Sequence, residues 1–73
     1  MPANSARDPR EDPRPGDVVQ GENSFELYFV VGRTELNVRF VRAGQIDDKV
    51  LNVPLYEWVE SSANDEVLYA APE

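Results

Sequence analysis

The run Asp12-Pro13-Arg14-Pro15-Gly16-Asp17-Val18-Val19 divides the chain into two kinds of sequence. Before it lie Pro, Arg, Asp and Ala without an apolar period. After it, apolar and polar residues alternate as in a small β domain. Pro15-Gly16-Asp17 is a turn signal, and the valine pair behind it opens a first strand at Val18-Val19-Gln20. Pro2, Pro9, Pro13 and Pro15 crowd the first fifteen residues, a density that forbids helix and sheet ladders. The sequence therefore predicts a disordered or partly polyproline-like tail over residues 1–15, one folded domain over 16–71 and a frayed end at 72–73.

Within the domain the clearest strand is 25–31. Phe25, Leu27, Phe29 and Val31 fall on one face, read as the core side, and Glu26, Tyr28 and Val30 on the other. Gly32-Arg33-Thr34 reads as a tight connection to a third strand, 35–42. That strand turns Leu36, Val38 and Phe40 inward and Glu35, Asn37, Arg39 and Val41 outward, so that the two segments form an antiparallel hairpin. Val50–Val53 is a fourth strand. Pro54 stops it and suits the first position of a helix in which Leu55, Trp58 and Val59 make one apolar stripe. Val67–Ala70 is the last strand. Strand, strand, strand, strand, short helix, strand is a mainly β (α+β) order. It fits a small SH3-like five-stranded barrel or a curved antiparallel sheet with one short helix before the last strand.

A 73-residue chain has room for one such domain and no more. Domains of this size bury only roughly 60% of their unfolded surface, so packing or oligomerisation must supply what size does not. The chain has no Cys and no His. That excludes disulfides, thiol chemistry, a Cys/His zinc site, and any triad that would pair Ser24, Ser61 or Ser62 with an imidazole. Asp47-Asp48 lacks the ligand spacing of a calcium loop and reads as a solvated turn. Gly16, Gly21, Gly32 and Gly44 are isolated turn glycines rather than a phosphate loop. The sequence thus predicts a non-enzyme without cofactor or metal. It has no apolar run of membrane-spanning length and no signal-peptide pattern, which places the chain in the cytoplasm.

The formal net charge is −7. In residues 1–16 the charges balance: Arg7, Arg10 and Arg14 against Asp8, Glu11 and Asp12. Residues 57–73 carry Glu57, Glu60, Asp65, Glu66 and Glu73 and no Lys or Arg. Arg33, Arg39, Arg42 and Lys49 in the middle are the only cationic cluster. So acidic a chain is a poor binder of nucleic acid, which needs clustered cations to replace phosphate counterions.

The opening phrase resembles that of a group of short, uncharacterised bacterial and phage proteins. Those begin near a D-P-R-P-G-D-V motif, run through a hairpin, and end with a helix followed by a strand. Leu55-Tyr56-Glu57-Trp58-Val59 and Glu66-Val67-Leu68-Tyr69 occupy the matching places here. The resemblance implies a small barrel and supplies no catalytic residues. Members of the group carry basic residues where this chain has Glu57 and Glu60.

Three functions are compatible with these features. The first is a non-catalytic protein-interaction module whose outer hairpin face (Tyr28, Val30, Arg39 and Val41) or acidic C-terminal end meets a protein partner. Equally, that face could be covered by the helix or by a second copy in a homodimer. The second is an acidic inhibitor, of phage type, that presents Glu57, Glu60, Asp65, Glu66 and Glu73 to the basic groove of a nucleic-acid enzyme. The third is a weak nucleic-acid binder using Arg33, Arg39 and Arg42.

Overall fold

The computed structural model describes residues 7–22, 25–43 and 49–72. Five strands and one helix follow in the order β1 (Val18–Gln20), β2 (Leu27–Arg33), β3 (Asn37–Arg42), β4 (Val50–Pro54), α1 (Leu55–Ser61) and β5 (Glu66–Tyr69). All strands join one antiparallel sheet of order β4-β3-β2-β1-β5. The chain meanders from β1 to the β4 edge. It then crosses the sheet through α1 and returns to pair β5 with β1. Among the described residues β4 and β5 share no ladder, so the sheet is open and its hydrogen bonds do not close a barrel.

The inner face is built from three cross-strand rows. Val67, Val19, Tyr28 and Arg42 lie in register across β5, β1, β2 and β3. Leu51, Phe40 and Val30 form the next row, and Val53, Val38 and Arg33 the third. Val19 and Val38 are fully buried, Val30 nearly so, and Phe40 and Trp58 complete the core. Each fully buried valine stabilises the fold by roughly 1.5–3 kcal/mol relative to exposure. Trp58 comes from α1 and packs on Phe40, with ring centroids 5.2 Å apart. The core position expected for Trp58 is the observed one.

The facing expected for β2 is reversed. Val30 is 2% exposed and Tyr28 packs against the core, whereas Phe29 and Val31 are 37% and 49% exposed and Phe25 is 96% exposed. Both faces of 25–31 are apolar, so the period of two identifies the strand but not the side it buries. The neighbours decide: Tyr28 stands opposite Val19, and Val30 opposite Phe40. A register shift between Val30 and Gly32 leaves Val31 as an unpaired bulge residue. The strand consequently runs through Gly32 to Arg33, and the reversal falls later than expected, where Thr34 N–H donates to Asn37 O at 2.9 Å. Leu36, expected in the core, sits in that turn at 73% exposure.

Of the tail expected over residues 1–15, residues 1–6 lie outside the described residues, and residues 7–15 are not a free tail. Pro9 and Pro13 are fully buried against the inner layer. The Trp58 indole N–H donates to Pro9 O at 3.0 Å, and Arg33 Nη1 donates to Pro13 O at 2.9 Å and to Asp12 Oδ1 at 2.7 Å. Proline lacks an N–H, so a Pro-rich strap can lie on a core without stranding donors there. Its carbonyls need partners, and side chains of α1 and β2 supply them. The strap and α1 together cover the inner face of the sheet.

Gly16 has φ 100°, the left-handed region that favours glycine, and lets the strap turn into β1. Immediately after it, Asp17 is buried and serves as a hub. Arg7 Nη1 and Nη2 donate to its two carboxylate oxygens at 2.7 and 3.0 Å, and the backbone N–H groups of Arg14 and Ala71 donate at 2.8 and 2.6 Å.

Candidate functional site

At the open end of the inner layer, beyond Trp58, the sheet and helix diverge. The gap is a cleft of about 470 Å³, a size typical of small-molecule or side-chain pockets. Tyr28, Phe40, Val53 and Trp58 form its apolar floor, and Glu22, Arg42, Glu57, Ser61 and Asp65 its polar rim. Tyr28 meets Phe40 edge to face, with centroids 5.7 Å apart. Three acidic residues and one arginine thus line a cleft with an aromatic base.

Each rim residue is placed by a local cause. Arg42 continues the inward phase of Val38 and Phe40, one step beyond the core, and stands directly opposite Tyr28. Its Nε is buried and has no hydrogen-bond partner among the described residues. Asp65 closes the turn after α1, where its N–H donates to Ser62 O at 3.0 Å. It is 8% exposed, and its Oδ1 accepts the Glu22 N–H at 3.0 Å, tying the β1–β2 connection to the helix end. Glu57 lies in the first turn of α1, where a carboxylate suits the helix dipole. Burial pushes the Tyr28 phenol above its ordinary pKa. Its hydrogen bond to Glu26, at 3.0 Å, and the charges of Glu26 and Asp65 act the same way, while Arg42 opposes them.

The four residues expected on one outer face are split. Tyr28 lines the cleft and Val30 is core. Arg39 and Val41 do lie on the outer face, with Arg39 laid over Gly32. The five acidic residues are dispersed as well. Glu57 and Asp65 edge the cleft, although Asp65 is buried rather than displayed; Glu60 and Glu66 are exposed; and Glu73 lies outside the described residues. The three central arginines point to three places. Arg33 turns inward to Asp12, Arg39 outward, and Arg42 into the cleft. Among the described residues no three acidic side chains, those of the cleft included, come close enough together to hold a metal ion, and no helix is long and apolar enough to cross a membrane. Ser24, Gly44 and Asp47-Asp48 lie outside the described residues.

The cleft joins features that the sequence presented separately. Arg42 could have been found from phase alone: a charged residue at a core-phase position marks the place where a strand leaves the core. Glu22 carries no such signal, because its position depends on the contact with Asp65. Neither a protein-family model, nor a curated protein, nor a solved structure matches the chain.

Proposed function

We propose that the chain is a non-catalytic protein-interaction module, a partly open SH3-like barrel, that takes a basic side chain of a partner protein into the cleft. The observation that supports this reading is the meeting of Tyr28, Phe40 and Trp58 with Glu22, Glu57 and Asp65 around one opening. Aromatic rings and carboxylates are the two environments that attract a Lys or Arg head group. Arg42 tempers the field: a lone cation meets it at the back, whereas a peptide carbonyl beside the basic side chain gives the guanidinium an acceptor. The net charge of −7 steers basic partners towards the molecule.

The test is an NMR titration of the ¹⁵N-labelled chain with short Lys- and Arg-containing peptides, against Glu- and Leu-containing controls. Shifts centred on Glu22, Tyr28, Glu57 and Ser61 that vanish in Glu57→Lys carry the reading. Shifts spread over Glu57, Glu60 and Glu66 that fade steeply with salt favour the acidic inhibitor instead. Shifts with RNA or DNA at Arg33, Arg39 and Arg42 favour the nucleic-acid binder.

A further inference from the structure

The outer face of the sheet carries one apolar residue from every strand, all in one row. Val50 pairs with Val41, Val41 with Phe29, Phe29 with Val18, and Val18 with Tyr69. Paired residues project to the same side of a sheet, so the row crosses all five strands. Val50, Phe29 and Tyr69 are 43%, 37% and 54% exposed, and the bulge residue Val31 adds to the same surface. Neither α1 nor the strap covers it, since both pack on the inner face.

We propose that this face is a homodimer interface, with the two-fold axis running along β2. Three observations specify a second copy as its occupant. First, the row is self-complementary about its centre. Rotation about β2 places Phe29 on the partner's Phe29, Val41 on the partner's Val18 and Val50 on the partner's Tyr69. An isologous interface requires this kind of symmetry.

Second, the face is nearly free of the charge that would otherwise keep two copies apart. Its in-register residues include one cation, Arg39, and one anion, Glu66. Glu57, Asp65 and Glu22 edge the cleft on the inner layer, and Glu60 lies on α1. The repulsion expected from −7 on each copy acts across the thickness of the dimer and is screened beyond about 8 Å at physiological salt.

Third, the size suits a weak, reversible dimer. Five strands about 4.8 Å apart span about 24 Å. Three rows about 7 Å apart along the strands span about 20 Å, a footprint of about 480 Å² per partner, which falls in the class of weak, transient interfaces burying less than about 1,200 Å² in total. Two such faces packed about 10 Å apart make a β-sandwich with the strands within about 30° of each other.

The inference is independent of the cleft, which opens on the other layer. Sedimentation velocity over a concentration series is expected to show a monomer–dimer equilibrium, and Phe29→Lys to leave a folded monomer by circular dichroism. The absence of Cys permits a sharper test. Packed sheets are too far apart for a direct disulfide, so Phe29→Cys is treated with a short bis-maleimide. Efficient dimer cross-linking at Phe29, with none for Tyr56→Cys on α1, places the axis on β2. A chain that stays monomeric at high concentration overturns the proposal, as does a dimer that survives Phe29→Lys or cross-links only through Tyr56. Peptide binding by Phe29→Lys, and dimerisation by Glu57→Lys, read the two surfaces separately.

Discussion

The indole N–H of Trp58 donates to the backbone carbonyl of Pro9, 3.0 Å away, and both residues are buried. The only tryptophan of the chain thus holds a segment that composition marks as a tail. Trp58→Phe keeps most of the packing but leaves Pro9 O without its donor. A buried unsatisfied acceptor costs about 1–3 kcal/mol, and Trp58→Ala, which also opens a cavity, about 3–5 kcal/mol. Urea denaturation followed by circular dichroism checks both. Equal small losses for the two variants would mean that the strap is not seated on Trp58.

Asp17 gives the fold an acid-sensitive joint. Burial raises its pKa, but the hydrogen bonds from Arg7, Ala71 and Arg14 outweigh that and hold it below the ordinary carboxylate value. Hydrogen bonds from Arg10 to Asp8 and from Arg33 to Asp12 lower those two pKa values as well, although both carboxylates are more exposed. A group whose folded pKa is depressed stabilises the fold above its unfolded pKa, about 3.9 for Asp. That stability disappears as pH falls through the folded value. The urea midpoint is expected to be flat from neutral pH down to about 5 and to drop below about 4. Asp17→Asn should remove much of the acid limb while lowering stability at neutral pH. Asp17→Ala, which breaks the buried ion pair with Arg7, is expected to cost about 3–5 kcal/mol.

Two glycines separate conformational need from mere space. At Gly16, with φ 100°, an added Cβ lies 3.1 Å from Ala71 Cβ. Gly16→Ala is expected to destabilise by about 1 kcal/mol or more, because the backbone is strained and the C-terminal segment must move. At Gly32 an added Cβ meets only the Arg39 side chain at ordinary contact distance, 3.5 Å and beyond. Gly32→Ala is expected to change the thermal midpoint little. A reversed order in a thermal melt would refute the local geometry at both positions.

The facing of β2 has its own test. Val30→Ala empties a core site and is expected to cost about 2 kcal/mol. Val31→Ala, at the exposed bulge, should stay within about 0.5 kcal/mol. The opposite ranking would restore the assignment that alternation alone suggests.

The order of elements was legible because each has a local signature. Val18-Val19 follows the Pro15-Gly16-Asp17 turn, and the apolar stripe of Leu55, Trp58 and Val59 follows Pro54. Facing was not legible at β2, because Phe29 and Val30 are equally apolar and only the pairing with Val19 and Phe40 separates them. The strap misled for a related reason. Proline density reports what a segment cannot form, namely ladders, and is silent on whether its carbonyls find donors. Trp58, Arg33 and Ser62 provide those donors from positions far along the chain. Of the cleft, Tyr28, Glu57 and Asp65 stood out in the sequence, but for separate reasons. Only the return of the chain after α1 brings them to one opening.

The hub at Asp17 joins residue 7 to residue 71, since Arg7 also donates to Ala71 O. The backbone is open, yet its connectivity through these bonds is circular: strap, meander, helix and last strand form one loop closed at a carboxylate. Opening that hub releases the strap and the C-terminal segment together. Hydrogen exchange at Val19, in the interior strand β1, and at Ala71, beside the closure, should therefore proceed through the same opening event, and circularly permuted chains that link 72 to 7 should fold.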